Sequence, residues 1–332
     1  MKTSFLPLAL GLLFFVSACK KDELDPGCDA PIGNESVTYR YYNDGTPTIT
    51  PDPIETRGNI SYDPAYARRV ANGVEIVVPG VRIRTDNNNF AITRLQIDER
   101  QSGDNCFTFQ SEFTNDQSSF QTDIASVLVL DMSTSLQANV DELKSYAKNY
   151  ANTVVNSSAN STVAVVFFSD RDAIESTDFY TSANISELNA RIDAFSDYRE
   201  RTALYQATRD GLQLLDNLDF DGEKSIVAFT DGGDNDSNNP SALREQIQDS
   251  PVERFAIGLR GADFQEPGLR ALVSNNSNFT VADDVNALED IFQVVGRGVI
   301  SVYEIVYTRS DQLLTSDEAV DIRISTETEV ID

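Results

Sequence analysis

The chain has 332 residues, of which 40% are hydrophobic and 24% charged, enough for one large domain with a core and a smaller second one. A formal net charge of -27 repels nucleic-acid phosphates, so nucleic acid is not expected as a partner. The absence of histidine excludes Ser-His-Asp and Cys-His catalysis and leaves oxygen atoms as the ligands for any metal ion.

The first residues predict an exported protein. Residues 5–16 form an apolar run that is too short to cross a bilayer and is typical of a signal peptide. Small residues then precede Cys19, a pattern that resembles the lipobox of bacterial lipoproteins. The resemblance implies that residues 1–18 are removed and that Cys19 carries acyl chains, which anchor a protein stably when there are two or more. The alternative is an ordinary secretory signal with an incidental Cys19.

Residues 19–35 are polar and contain Pro26 and Gly27, so we predict a lipidated tether. The tether begins with Lys20-Lys21-Asp22-Glu23, which resembles the charged segment after the lipid-bearing cysteine of Bacteroidota lipoproteins. That resemblance implies display on the outer surface of the outer membrane. A plain solvated tether is the alternative, because a charge run alone is weak evidence.

Two further cysteines, Cys28 and Cys106, remain once Cys19 is assigned to the lipid. An exported protein enters an oxidising compartment, so we predict a disulfide between them. The bond closes a long loop and is worth about 4 kcal/mol in the chain-entropy model. Two free, buried thiols are the alternative.

Residues 36–121 read as an all-β domain. Short β-like runs at 74–78, 81–84, 90–97 and 107–110 are separated by turn residues, and the run at 90–97 alternates with a period of two. Two more alternating runs, at 302–307 and 319–324, follow much later in the chain. Because two strands alone are marginal in water, we predict that residues 301–332 complete this sandwich-like domain.

Residues 122–300 have a different pattern, in which apolar strands alternate with helical stretches. Such a pattern predicts a doubly wound, mostly parallel, Rossmann-like α/β sheet. The predicted strands are 126–130, 163–168, 225–229, 253–258 and 279–281. The predicted helices are 136–155, 185–195, 202–215, 242–248, 268–274 and 285–299.

Oxygen-bearing side chains follow two of the strands, at the sheet edge where open α/β sheets bind ligands. The first strand ends in Asp131-Met132-Ser133-Thr134-Ser135, and Asp231 follows the strand at 225–229. Thr202 stands at a predicted helix start between them. Two carboxylates and three hydroxyls are too few to enclose Ca²⁺ fully, and they fit an octahedral Mg²⁺ that keeps waters and an open position. Taken singly, the serines and Thr202 also suit helix caps, and Asp231 suits a turn.

Jointly, these residues resemble the metal-ion-dependent adhesion site of von Willebrand factor A (vWA) domains, over residues 122–300. The resemblance implies that Ser133 and Ser135 bind the metal directly and that Thr202 binds it in one state. It implies that Asp131 and Asp231 bind directly or through water. An acidic side chain of a protein partner then completes the coordination.

One departure from the family concerns Arg199-Glu200-Arg201, where small residues often precede the threonine. We expect their bulk and charge to alter access to the metal or the choice of partner. Asp234 and Asp236 lie near the motif but outside it, and are predicted to be solvated loop acids. An accessory role at the site is the alternative.

The sequence therefore predicts a non-enzymatic, surface-anchored outer-membrane lipoprotein that captures a protein partner through its metal, with the membrane contacted through the lipid. The alternative is a scaffold lipoprotein that assembles an envelope complex, with a mainly structural metal. Metal-assisted hydrolysis is disfavoured because the sequence offers no histidine and no obvious acid/base pair.

Overall fold

A computed structural model describes residues 28–43, 46–83, 90–114, 122–310 and 319–330. The predicted signal peptide, Cys19 and most of the predicted tether lie outside these residues. The strands are β1 (Glu35–Asn43), β2 (Pro47–Ile49), β3 (Glu55–Arg57), β4 (Ile60–Ser61), β5 (Tyr66–Val70), β6 (Gly73–Ile83), β7 (Phe90–Gln101), β8 (Thr108–Thr114), β9 (Ile124–Asp131), β10 (Thr162–Phe168), β11 (Ile174–Ser176), β12 (Glu223–Thr230), β13 (Glu253–Leu259), β14 (Phe279–Ala282), β15 (Tyr303–Ser310) and β16 (Val320–Val330). The α-helices are α1 (Val140–Val155), α2 (Ile185–Ala194), α3 (Leu204–Asn217), α4 (Pro240–Gln248), α5 (Glu266–Arg270) and α6 (Ala287–Ile300).

The α/β part is a doubly wound sheet in the order β11-β10-β9-β12-β13-β14. All its neighbours pair in parallel except the edge strand β11, which runs antiparallel to β10. Helices α1, α2 and α6 cover one face of the sheet, while α3, α4 and α5 cover the other. The predicted fold class is confirmed, and the short antiparallel edge strand is an addition to it.

The strand order reverses between β9 and β12. From β9 the chain moves outward to β10 on one side, and it later returns to place β12 on the other side. Helices that diverge from such a switch point leave a crevice beyond the carboxyl ends of the two strands. The residues that directly follow β9 and β12 therefore face one another across this crevice.

The all-β part consists of two antiparallel sheets around one apolar core. The first has the order β2-β1-β16-β7-β8 with β3 on β1, and the second the order β15-β6-β4 with β5 on β6. Side chains such as Val37, Tyr39 and Ile97 fill the space between the sheets. The C-terminal strands are integral to both sheets, since β16 lies between β1 and β7 and β15 pairs with β6. The boundaries at 121 and 300 stay predictions.

The runs predicted separately at 74–78 and 81–84 belong to a single strand, β6. Pro79 and Gly80 do not end it, because the register against β15 shifts there, between Tyr303 and Ile305. Such a bulge absorbs extra residues without breaking the pairing. Gly80 has φ +59, a left-handed conformation that favours glycine, and a Cβ at this position would collide with the Asp63 carboxylate unless that side chain moved.

Several helices begin or end away from their predicted limits. Helix α4 starts at Pro240 rather than 242, and α5 starts at 266 with a proline in its first turn. Proline suits this position because the first helical N–H groups have no partner within the helix. The predicted helix from residue 136 begins as a 3-10 turn, Thr134–Asn139, before α1.

The two parts of the protein meet where the chain enters and leaves the α/β sheet. The Thr122 amide donates to the Val302 carbonyl at 3.0 Å, so the two connections lie side by side. Nearby, the buried Arg82 of β6 donates to Glu223 at the start of β12, at 3.2 Å. The amino ends of β9 and β12 thus face the all-β part, and their carboxyl ends point away from it.

A disulfide joins Cys28 to Cys106, with the two Cα atoms 4.7 Å apart. The neighbouring Asp29 amide donates to the Phe107 carbonyl at 2.9 Å. Cys28 therefore lies beside the start of β8. Among the described residues, no helix has the length and apolar character needed to cross a membrane.

Candidate metal site

The site begins with two neighbouring strand ends. Strands β9 and β12 pair in parallel with Leu130 opposite Phe229, which brings Asp131 level with Thr230 and places Asp231 one residue further on. Asp131 is completely buried. One of its carboxylate oxygens accepts from the Ser133 amide at 2.8 Å, and the other accepts from the Thr230 hydroxyl at 2.5 Å.

A chain of hydroxyls connects the two strand ends. The Ser133 and Ser135 hydroxyl oxygens are hydrogen-bonded at 3.0 Å, and Ser135 donates to Asp231 Oδ1 at 3.0 Å. Ser133 occupies the N-cap position of the 3-10 turn, but its side chain makes no capping hydrogen bond. The D-x-S-x-S segment therefore turns its oxygens toward Asp231 rather than toward a helix end.

Thr202 is brought to the same place by the loop before α3. It lies two residues ahead of this helix, so the predicted helix-start position is wrong. Its backbone is fixed to Asn235 through two hydrogen bonds of 2.9 Å. The residue is only 5% exposed, and its side chain, which has no hydrogen-bond partner among the described residues, borders a recess. Gly232 lies beside the Thr202 hydroxyl, and a Cβ at that position would be in ordinary van der Waals contact with it, at 3.7 Å.

A recess of about 340 Å³ opens over these groups. Its walls include Ser135, Thr202 and Asp231, together with the acidic residues Glu200 and Asp263. Asp131 and Ser133 are buried beneath it. All five predicted metal ligands therefore lie in or directly under one crevice, at the switch point of the sheet.

Burial acts on both carboxylates of the site. Desolvation raises the pKa of Asp131 to about 7, although hydrogen bonds from Thr230 and Ser133 lower it. Desolvation likewise raises the pKa of Asp231, against the hydrogen bond from Ser135. Two carboxylates that are costly to ionise in this setting favour a neighbouring cation, which would offset the cost.

The donor set fits a hard cation. Within the described parts of the chain, no group of three or more Cys, Asp or Glu side chains is placed to hold a metal. The set here is instead two carboxylates and three hydroxyls, one of them the unpartnered hydroxyl of Thr202. Mg²⁺ takes such sparse oxygen sets because it keeps several of its waters.

Asp236 is not a solvated loop acid, so its prediction is wrong. It is 6% exposed and accepts from Arg171 Nη2 and Arg201 Nη1, each at 2.9 Å. The Arg171 guanidinium and amide, with Arg201, hold the pKa of this carboxyl far below its usual range. Asp236 joins three loops: the one after β10, the one before α3 and the one after β12. Its charge therefore fixes the walls of the crevice.

Asp234, the other predicted loop acid, is half-buried. It accepts from the Tyr205 amide at 3.2 Å, in the first turn of α3, and from the Ser237 hydroxyl at 2.5 Å. It thus satisfies a free N–H group at the start of α3. Both acids serve the site through the loops they hold, which the spacing of the motif did not reveal.

The family of the chain follows from its sequence and this fold. Residues 127–294, just over half of the chain, match the model of the von Willebrand factor type A domain. The chain belongs to the vWA family. Membership supports a protein-binding, adhesion-type role. A search of curated proteins found no match.

Several solved structures are similar to this vWA protein. One is the zinc-bound form of proximal thread matrix protein 1 from the mussel byssus, whose zinc occupies a metal-ion-dependent adhesion site (MIDAS) motif. It is 20% identical over 57% of this chain and 49% of its own, with a TM-score of 0.47. The pilus adhesin SpaC from Lactobacillus rhamnosus GG is 12% identical over 80% of this chain and 42% of its own, with a TM-score of 0.47. BatB from Bacteroides thetaiotaomicron is 14% identical over 53% of this chain and 98% of its own, with a TM-score of 0.38. The chain thus spans about half the length of the mussel protein.

Proposed function

We propose that this vWA protein binds a protein partner through a divalent cation in the crevice, and that an acidic side chain of the partner completes the coordination. The convergence of Thr202, Ser135 and Asp231 on one recess, next to the buried Asp131, carries the proposal. Mg²⁺ is the proposed ion, with Mn²⁺ or Ca²⁺ as substitutes.

In this proposal, Ser133, Ser135 and Thr202 hold the ion directly, and Asp131 and Asp231 hold it directly or through water. The bound ion supplies positive charge and an open position for a carboxylate. Asp236 and its arginines keep the loops in place, so little order has to be gained on binding. Binding rather than catalysis is proposed, since the sequence contains no histidine to act as a general base.

The proposal is tested by titrating the chain without residues 1–19 with Mg²⁺, and then with a short acidic peptide. We expect saturable binding of Mg²⁺, and binding of the peptide only when the metal is present. A matched peptide with Gln in place of Glu should not bind. Peptide binding that persists in excess chelator contradicts the mechanism. Metal binding without peptide binding favours the scaffold alternative with a structural metal.

We also propose that the protein is held on the outer surface of the outer membrane by acyl chains on Cys19. The disulfide at Cys28 supports this arrangement, because it fixes the tether to the all-β part. The crevice lies at the carboxyl ends of β9 and β12, away from the all-β part, and each of these eight-residue strands spans about 26 Å. Anchorage at one end therefore leaves the crevice directed away from the attachment point.

A Cys19→Ser variant is expected to move from the membrane pellet to the soluble fraction, because no acyl chain can then be attached. Fractionation of cells that express each form measures this, with Cys106→Ser as a control that keeps Cys19. A Cys19→Ser protein that still sediments with membranes would contradict the lipid anchor. Digestion of the wild-type protein by protease added to intact cells would support surface display.

A further inference from the structure

Glu200 is an acidic residue in the wall of the recess, and it is not one of the five proposed metal ligands. It lines the recess together with Ser135 and Asp231. It is exposed, and among the described residues it has no hydrogen bond or ion pair. The flanking arginines do not neutralise it, because each pairs with other carboxylates. Arg199 bonds to Asp170 and Asp197, and Arg201 bonds to Asp236.

The backbone that carries Glu200 is fixed to the site on both sides. The Arg199 carbonyl accepts from the Thr134 amide at 2.9 Å, within the loop that presents Ser133 and Ser135. Two residues beyond Glu200, the Thr202 amide donates to Asn235 at 2.9 Å. The Cα of Glu200 therefore keeps its place beside the crevice, while no hydrogen bond or ion pair to a described residue holds its side chain.

We propose that the Glu200 carboxylate takes the open coordination position of the bound cation when no partner is present, so that the partner must displace it. This inference rests on the proposed function. Glu200 offers the cation the same chemical group as the partner, and its attachment beside the site gives it a high effective concentration. A partner with only a single carboxylate is therefore held weakly. Such a partner needs additional contacts with the residues around the recess to displace Glu200 from the cation.

The other unpaired carboxylate of the recess, Asp263, provides a matched comparison. Asp263 is exposed, lines the same recess, and contributes to the raised pKa of Asp231 through its charge. It lies on the loop after β13 and has a side chain one methylene shorter than that of Glu200. A purely electrostatic effect of recess carboxylates would appear at both positions and would weaken with added salt.

The test compares Glu200→Gln, Glu200→Asp and Asp263→Asn in the chain without residues 1–19, loaded with Mn²⁺. Water-proton relaxation counts the exchangeable waters on the ion without any peptide present. Titration with the acidic peptide gives its affinity. We expect both Glu200 variants to gain one bound water and to bind the peptide about tenfold more tightly, because the competitor is gone or too short to reach. Asp263→Asn should change neither quantity.

The charge-conserving variant decides between coordination and repulsion. If Glu200→Asp behaves like the wild type while Glu200→Gln and Asp263→Asn change together, the effect is electrostatic and the inference is overturned. It is also overturned if Glu200→Gln binds Mn²⁺ with an unchanged number of waters. Failure of the wild-type chain to bind Mn²⁺ instead overturns the proposed function, and this inference with it.

Discussion

Asp131→Ala is expected to lower the affinity for Mg²⁺ by at least about 100-fold, while the fold is retained. Asp131 lies at the centre of the site, where it orients the Ser133 amide and the Thr230 hydroxyl and supplies negative charge directly beneath the recess. Alanine removes both the charge and the orientation. Calorimetric titration of the chain without residues 1–19 measures the loss, and circular dichroism verifies that the sheet remains.

The companion variant Asp131→Asn separates metal binding from stability. Because burial raises the pKa of Asp131 to about 7, against about 3.9 in an unfolded chain, the metal-free native state binds the proton more tightly than the unfolded state does. The free energy of unfolding of the metal-free protein therefore falls as the pH rises from about 3.9 to about 7. Without metal, the Asn variant should melt at a higher temperature than the wild type at pH 8, and the gap should narrow toward pH 5. A lower melting temperature at pH 8 would contradict this account of the site.

Asp98→Ala is expected to destabilise the all-β part by about 3–5 kcal/mol, because it leaves the positive charge of Arg323 buried without a carboxylate to neutralise it. Asp98 is completely buried, and it accepts from Arg323 Nη2 at 2.6 Å and from Gln96 at 2.7 Å. Arg323 also stacks on Phe107 and donates to the Asp29 carbonyl, so it ties β16 to the segment held by the disulfide. Urea unfolding of the chain without residues 1–19 measures the loss of unfolding free energy.

The same strand provides a control for this prediction. Arg94 of β7 pairs with Glu112 of β8 at 2.7 Å, but both side chains are about a third exposed. Water and salt screen such a pair, so Glu112→Ala should leave the unfolding curve almost unchanged. Equal losses of unfolding free energy for Asp98→Ala and Glu112→Ala would show that burial does not determine how much an ion pair stabilises the protein. The double variant Asp98→Ala/Arg323→Ala should lose less than the sum of its two single variants.

The features that could be predicted from the sequence are those that local patterns encode. Strands buried on both faces, such as β9 and β12, appear as unbroken apolar runs, and a parallel sheet places whatever follows them at one edge. The convergence of Asp131 and Asp231 follows from this rule. The three-residue edge strand β11 has no such signature, because it is too short to show periodicity.

Other features depend on contacts between distant segments. The sequence around Asp236 is polar and rich in asparagine, which is typical of a solvated loop. Its burial comes from Arg171 and Arg201, on two other loops, and no local pattern records that pairing. The helical pattern at 202–215 predicts a helix that starts at Thr202, yet hydrogen bonds to Asn235 hold this residue in the loop. Pro79 and Gly80 similarly resembled a strand end, although a bulge accommodates them.

The position of β16 between β1 and β7 has a consequence for how the protein reaches its native state. Arg40 and Asp321 form an ion pair although 281 residues separate them in the chain, and Arg323 and Asp98 are 225 residues apart. Closing such long loops is slow, and it requires strands from both ends to be available together. The vWA sheet, whose strands follow one another along the chain, can assemble first. Until β16 pairs with them, β1 and β7 expose unpaired edges that favour aggregation. Assembly of the all-β part is therefore the folding step at which a chaperone would be needed.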